Sequence, residues 1–366
     1  MAFLESTRKL NIISPINQLG YGIAGLNIVK HLLSNGHDVS LFLLGQIQAD
    51  PKLHDFLKGC FESARVPDFE APCIRIWHQH DMSEWVGNGT KIGFPIFELN
   101  RFTESEKHHL SLPEKLFVCS QWAKDVVLEQ LGDSKKEEDV HVIPLGVDRS
   151  IFRENVSSRP TTVFLNIGKW EVRKGHDILV TAFNRAFTKE DNVELWMMCD
   201  NPFYSDEQNF DWERIYRGSG LGEKVRIIPR QESQSDVHNI MSQADCGVFP
   251  ARAEGWNLEA LEMLACGKQV IATNYSGHTE FLNEENAMLV DVSELEDAQD
   301  GVWFKGQGQW ASIGDKEIDQ IAEHMKSIHE LKQSDNLNIN QAGIDTSKKF
   351  SWDNTIAKIL EAISDE

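Results

Sequence analysis

The sequence predicts an α/β protein built from two domains in series, each a parallel sheet with helices on both faces. Three observations point there. At 366 residues the chain exceeds one comfortable core, and two domains of roughly 150 to 200 residues are the default for that length. Short apolar runs alternate with amphipathic stretches, as strands alternate with helices around a parallel sheet. The pattern also restarts after PLGVDRSIFRENVSSRP (Pro144–Pro160), a polar stretch without periodicity that carries glycine and proline and reads as an interdomain linker.

In the first half, Leu10–Ser14 (LNIIS) reads as a strand, and Gly22–Ser34 as a helix with Ile23, Leu26, Ile28 and Leu32 as its apolar positions. Val39–Leu44 is the next strand. Cys73–Trp77, Lys91–Phe94, Lys115–Cys119 and Val140–Ile143 follow, with helical segments such as Gln121–Leu131 between them. In the second half, Thr162–Ile167 is a strand and Gly175–Ala186 a helix. Val193–Cys199, Val225–Ile228, Cys246–Phe249 and Gln269–Thr273 are further strands. FSWDNTIAKILEAISDE reads as a final amphipathic helix with Ser351 or Asp353 near its cap. Phe304–Trp310 (FKGQGQW) has aromatics and glycines that can line a carbohydrate groove, but its glycines favour a surface loop.

Composition narrows the function. The net charge of −21, from 36 basic and 57 acidic side chains, disfavours a nucleic-acid backbone or an anionic membrane as main partner, since both reward a basic surface. The six cysteines are scattered without a CxxC pair, as expected of buried reduced thiols. MAFLESTRKLNIISP does not have the pattern of a signal peptide, and no run reaches the ~18 apolar residues of a membrane span. A soluble cytoplasmic protein is the expectation.

In open α/β sheets ligands bind beyond the carboxyl ends of the strands, so the loops there are the candidates for chemistry. Ser14–Gly25 (SPINQLGYGIAG) joins the first strand to the first helix. Gly20 and Gly22 permit close backbone approach to a ligand, and helix amides favour a phosphate. A tight turn without ligand contact fits the same residues. Gly168–Leu179 (GKWEVRKGHDIL) gathers Lys169, Arg173 and Lys174 beside a helix start, cations suited to a diphosphate. Arg75–Trp85 (RIWHQHDMSEW) places His78 and His80 with Asp81. No third ligand stands at a usual metal spacing, which leaves structural histidines or a donor to a substrate oxygen. In Ala244–Trp256 and beyond, Asn257 can cap a helix from Leu258 to about Cys266. Glu254 precedes that cap and Glu262 lies inside the helix. The amides near Trp256, Asn257 and Leu258 offer a phosphate seat between the two acids. Carboxylates for hydroxyls at both ends and amides for phosphates match the shape of a sugar nucleotide.

Glu254 and Glu262 form the E-x7-E motif, and with it the chain resembles retaining glycosyltransferases of the two-Rossmann GT-B architecture, most closely glycosyltransferase family four. VIPLGVD, GKWEVRKG, EGWNLEALEMLACGKQVIAT and FSWDNTIAKIL extend the resemblance over almost the whole chain. It implies an acceptor domain over 1–155, a nucleotide-sugar domain over 156–345 facing it across a cleft, and a C-terminal helix over 346–366 that crosses back to the first domain. It further implies that Glu262 bonds the donor ribose, Glu254 contacts the donor sugar near the reacting centre, and Lys169 and Lys174 hold the diphosphate. Gly20 and Gly22 would approach the phosphates or acceptor, and His80 the transferred sugar. Lys169 stands where many members carry Arg, and Trp256–Asn257 replaces a commoner aromatic–glycine pair.

The implied reaction is sugar transfer from a nucleoside diphosphate sugar, a UDP- or GDP-sugar, to an acceptor hydroxyl with retention, by front-face attack and without a cofactor. No Asp-x-Asp occurs in the chain, so the usual metal–diphosphate motif is missing and no metal is expected. The expected acceptor is a soluble saccharide, a small molecule or a protein. The rivals are a sugar-nucleotide epimerase or a phosphorylase on the same architecture and a non-catalytic sugar-nucleotide-binding protein. For the phosphorylase, no Schiff-base lysine declares itself.

Overall fold

The computed structural model describes residues 7–48 and 51–364. The chain divides into two compact units. One takes the chain up to Phe97, Arg101–Gly146 and the segment from Phe350 onward; the other takes Glu98–Asn100 and Val147–Lys349.

The first unit runs β1 (Lys9–Ser14), α1 (Gly20–Ser34), β2 (Asp38–Leu43), α2 (Pro51–Ser63), β3 (Cys73–Ile76), β4 (Lys91–Phe94), α3 (Glu104–Ser111), β5 (Lys115–Val118), α4 (Gln121–Leu131) and β6 (Val140–Val142). Its six strands pair in parallel in the order β2-β1-β3-β4-β5-β6. After its first residue β1 is buried throughout, which is why it reads as an unbroken apolar run rather than an alternation. Polar caps set the helix starts. The Ser120 hydroxyl accepts from Ala123 N at 3.2 Å to open α4, and Thr103 and Glu106 form a reciprocal capping box on α3.

The second unit runs β7 (Thr162–Gly168), α5 (His176–Ala186), β8 (Val193–Cys199), α6 (Asp206–Arg217), β9 (Val225–Ile227), α7 (Gln234–Met241), β10 (Cys246–Phe249), α8 (Leu258–Ala265), β11 (Gln269–Thr273), β12 (Met288–Val290), β13 (Leu295–Gln299), β14 (Lys305–Ala311), α9 (Asp315–Gln333) and α10 (Gln341–Lys349). Its main sheet is parallel in the order β12-β11-β10-β7-β8-β9. Counted within the unit this is the 6-5-4-1-2-3 order of a doubly wound nucleotide-binding sheet. A core of Phe164, Leu179, Phe183, Leu195, Ile321 and Met325, among others, fills the space between sheet and helices.

The chain ends in α11 (Trp352–Ser364), which belongs to the first unit. The Ser351 hydroxyl accepts from Asn354 N at 3.2 Å at its start. Asp353 bonds His31 of α1 at 2.8 Å, and Thr355 donates to the Pro144 carbonyl at 2.8 Å. All six cysteines are buried and free. Among the described residues no helix is long and apolar enough to cross a membrane.

One expectation is corrected. FKGQGQW is not a loop: all but its first residue lies in β14, antiparallel to β13. Trp310 is 1% exposed and packs with Leu99, Ala253 and Ala298, and its indole N–H donates to Glu296 at 3.0 Å. Gly306 and Gly308 interrupt the side-chain alternation that normally reveals a strand.

Candidate active site

The strand order of the second unit reverses between β7 and β10, where a doubly wound sheet opens its ligand crevice. Lys169–Gly175 leaves the carboxyl end of β7 and Pro250–Asn257 leaves that of β10. The two loops touch through their backbones. Arg252 N donates to the Arg173 carbonyl at 2.7 Å. Gly175 sits at φ 74°, and a Cβ there would lie 2.0 Å from the Pro250 carbonyl oxygen. Gly175→Ala is expected to cost about 1–3 kcal/mol, the usual range for forcing atoms into a filled space, as a lowered urea midpoint.

Arg173 lies at the centre, 4% exposed. Its Nη1 donates to Glu254 Oε2 at 2.9 Å and to the Ala253 carbonyl at 2.8 Å, while Nε and Nη2 donate to Glu171 Oε2 at 3.1 and 2.8 Å. Glu98 Oε1 stands 3.9 Å from Nη2. Lys174 Nζ lies 2.9 Å from Glu254 Oε1 and 3.6 Å from Glu259. Lys169 Nζ pairs with Glu171 Oε1 at 2.7 Å and is the more open of the two lysines, with about a third of its side chain exposed.

These contacts set the charge states. Burial pushes the Glu254 carboxyl up, but Lys174 and Arg173 outweigh it and hold the pKa at about 2. Burial pulls Lys174 down, and Glu254 with Glu259 more than restores it, so the lysine stays charged. Burial likewise opposes the charge on Glu171, and Arg173 and Lys169 overcome it. Glu98 goes the other way: burial raises it and Arg173 only partly compensates.

Behind this cluster His176 pins the loop to β7. Its Nδ1 accepts from Glu171 N at 3.1 Å, which puts the ring proton on Nε2, facing Asn166 Oδ1 at 2.9 Å. Burial, then the charge on Lys174, lowers its pKa to about 3. On the other side, Glu254 N donates to the Ser276 hydroxyl at 2.8 Å and the Glu254 carbonyl accepts from Gly277 N at 2.9 Å. These bonds fix the backbone of the acid.

Asn257 caps α8 from a left-handed conformation, φ 76°, with its Oδ1 accepting from Ala260 N at 3.1 Å. Trp256 and Leu258 are buried, and the Trp256 ring lies 4.9 Å from Phe281. Glu262 is buried in α8, and its carboxylate makes no hydrogen bond or ion pair among the described residues. Burial, reinforced by Glu259, pushes its pKa well above the ordinary carboxylate value. A buried acid without a partner on the protein side is suited to meeting a ligand's hydroxyls.

In the first unit the order reverses between β1 and β3. Gly20 and Gly22 lie in the first turn of α1. Nothing stands within 4 Å of a Cβ built on Gly20, whereas one on Gly22 would lie 2.3 Å from Asn17 N, so the smallness of Gly22 serves packing. Tyr21 donates to the Ile96 carbonyl at 2.6 Å, with its ring 4.7 Å from His78. His78 is half-buried and stacks on the exposed His80 at 5.2 Å. The Asp81 carboxylate pairs with the buried Arg75 at 2.7 Å.

Of the sequence candidates, Lys169, Arg173, Lys174 and Glu254 thus meet on the β7 and β10 loops, Trp256, Asn257, Leu258 and Glu262 lie just before or within α8, and Gly20, Gly22 and His80 belong to the first unit. Sequence reasoning missed Glu98, Glu171, Glu259, Ser276 and His278. The His278 Nδ1 faces the Asn257 side-chain nitrogen at 3.3 Å. Glu171 had a visible signal: an acid inside a run of three cations.

One comparison with known proteins spans the same loops. Residues 161–302 match the profile of the family described as "Glycosyl transferases group 1". Mannosylfructose-phosphate synthase of Agrobacterium fabrum is 23% identical over 259 residues, covering 64% of this chain and 55% of that protein. MMP alpha-(1->4)-mannosyltransferase of Mycolicibacterium hassiacum is 26% identical over 238 residues, covering 63% and 52%. The chain therefore spans little more than half the length of these two relatives. Among solved structures, sucrose-phosphate synthase from Thermosynechococcus elongatus has a TM-score of 0.70 at 16% identity, over 97% of this chain and 98% of that one. Anabaena HepE in complex with UDP-glucose has a TM-score of 0.70 at 15% identity, over 98% and 100%. The chain has the GT-B fold of two Rossmann-like domains, and the stretch of its second domain that matches "Glycosyl transferases group 1" contains Lys169, Arg173, Lys174, Glu254 and Glu262.

Proposed function

We propose that this protein is a retaining glycosyltransferase that moves a sugar from a nucleoside diphosphate sugar to an acceptor hydroxyl without a metal ion. The observation that carries this is the Lys174–Glu254 ion pair at the reversal point of the second sheet, with Lys169 beside it and the unpartnered Glu262 one helix turn beyond the cap. A diphosphate leaving group gains negative charge as the glycosidic bond breaks. Two fixed ammonium groups stabilise that charge more in the transition state than in the ground state. Lys169 and Lys174 take this role. Glu262 binds the ribose hydroxyls, and Glu254 those of the transferred sugar.

The state of Glu254 favours front-face attack over a covalent glycosyl-enzyme. Both of its oxygens are engaged, one by Lys174 and one by Arg173, and the group is a very weak base. A carboxylate so held is a poor nucleophile. The departing phosphate oxygen then takes the acceptor proton on the same face, and the anomeric configuration is kept. The acceptor is a soluble saccharide, a small molecule or a protein. The UDP-glucose bound by HepE supports a nucleotide-sugar donor.

A thermal-shift panel of UDP- and GDP-sugars tests the proposal. A cognate donor at a hundred times its Kd stabilises the protein by about 2.7 kcal/mol. With that donor and an accepted hydroxyl, NMR of the product shows the anomeric configuration retained and the rate unchanged by chelator. A panel in which no nucleotide sugar raises the midpoint overturns the proposal.

A further inference from the structure

Lys169 and Lys174 are held differently. Lys174 lies between Glu254 and Glu259, with 11% of its side chain exposed. Lys169 pairs with Glu171 at 2.7 Å and has about a third of its side chain in water. Glu171 is locked in place. Its second oxygen accepts from Nε and Nη2 of Arg173 at 3.1 and 2.8 Å. Its backbone N–H donates to His176 Nδ1 at 3.1 Å, and the carbonyl of the preceding Trp170 accepts from Asn201 at 3.0 Å. The Trp170 ring is buried and stacks on Trp212 at 5.9 Å. Arg173 and Lys169 keep Glu171 ionised against its burial. A fixed anion therefore shares the more open of the two ammonium groups.

We propose that Glu171 sets how tightly the site holds the nucleoside diphosphate product relative to the donor. This rests on the nucleotide-sugar donor proposed for the same site. An ammonium has three N–H groups, so Lys169 can keep Glu171 and still bind a phosphate oxygen. Two oxygens on one ammonium lie within about 6 Å of each other, twice a hydrogen-bond length, and like charges that close repel. The repulsion differs between the two ligands. In a sugar nucleotide the sugar esterifies the terminal phosphate and removes one of its ionisations. In the free nucleoside diphosphate that ionisation returns, with a pKa of about 6, so at neutral pH the product carries nearly one more negative charge. Glu171 thus weakens product more than donor and favours release of the leaving group once the sugar has gone. Product release limits turnover in many enzymes.

Calorimetry at neutral pH with UDP, UDP-glucose, GDP and GDP-mannose, on the wild type, Glu171→Gln and Glu171→Asp, tests this. The glutamine amide oxygen can still accept from Arg173, so the change removes charge more than contact. Glu171→Gln is expected to bind the preferred nucleoside diphosphate about fivefold more tightly, the scale of one partly exposed charge pair, and the corresponding sugar nucleotide more tightly by a smaller factor. Glu171→Asp draws the charge back by one methylene. It should shift the ratio of product to donor affinity in the same direction by less, and it carries the test if the glutamine variant does not fold. Product affinity in Glu171→Gln equal to or weaker than the wild type's overturns the proposal. A gain of equal size for donor and product also overturns it, since Glu171 then acts on both alike. Either result leaves the donor proposal standing. Failure of the wild-type protein to bind any of the four nucleotides overturns the donor proposal and this one with it.

Discussion

Arg173→Met is expected to destabilise the second unit by about 3–5 kcal/mol, the cost of removing one partner from a buried charge cluster. The guanidinium joins three acids: Glu171 and Glu254 through direct bonds, Glu98 at 3.9 Å. Methionine fills much of the volume but supplies no donor. Glu171 keeps Lys169 and Glu254 keeps Lys174, which places the loss nearer the lower bound. Glu98, which burial already disfavours as an anion, then lacks the charge that most opposes that penalty. The Ala253 carbonyl also loses its donor. Urea unfolding should show a lower midpoint. The double variant Arg173→Met, Glu171→Gln should be less damaging than the two single losses added together, because the second change removes a charge the first has stranded. A loss below about 1 kcal/mol for Arg173→Met, the scale of an exposed ion pair, would show that the cluster is more hydrated than its burial indicates.

Most of the strands were legible because each is an apolar run ended by a polar loop. Val193–Cys199, Cys246–Phe249 and Gln269–Thr273 coincide with β8, β10 and β11. Boundaries moved where backbone conformation decides them: Gly175, read as the first residue of a helix, is its left-handed cap. β13 and β14 were hidden because Asp297, Gln299 and the glycines of β14 carry no apolar alternation. The site was legible in its residue types but not in their pairing. Arg173 sits in the sequence as one cation of three suited to a diphosphate. In the structure its guanidinium is spent on Glu171, Glu254 and a carbonyl, which makes it the support that fixes Glu254. Adjacent cations look alike in a sequence; which of them turns inward depends here on Glu254 and the Ala253 carbonyl, brought from 81 and 80 residues away.

Lys174→Met should abolish most transfer while leaving the fold largely intact, and the asymmetry follows from who depends on whom. Glu254 retains Arg173 after the change, and Glu259, which loses its lysine, keeps a quarter of its side chain in contact with water. The lysine side chain is only 11% exposed, and the methionine that replaces it is apolar and similar in length, so burial costs little. The reaction loses more. Of the two lysines proposed to hold the diphosphate, Lys174 is the deeper and the more firmly positioned, fixed by Glu254 and Glu259. Removing one preorganised electrostatic contact to a developing negative charge lowers kcat by about 10²–10³. KM for the donor should change far less than kcat, because the lost interaction strengthens as the leaving group separates. Lys174→Arg should recover little, since the planar guanidinium does not fit the space of a point-charge ammonium between two carboxylates. Steady-state kinetics of the variant with a cognate donor check this: a rise in KM with kcat unchanged would assign Lys174 to ground-state binding and leave the leaving group to Lys169.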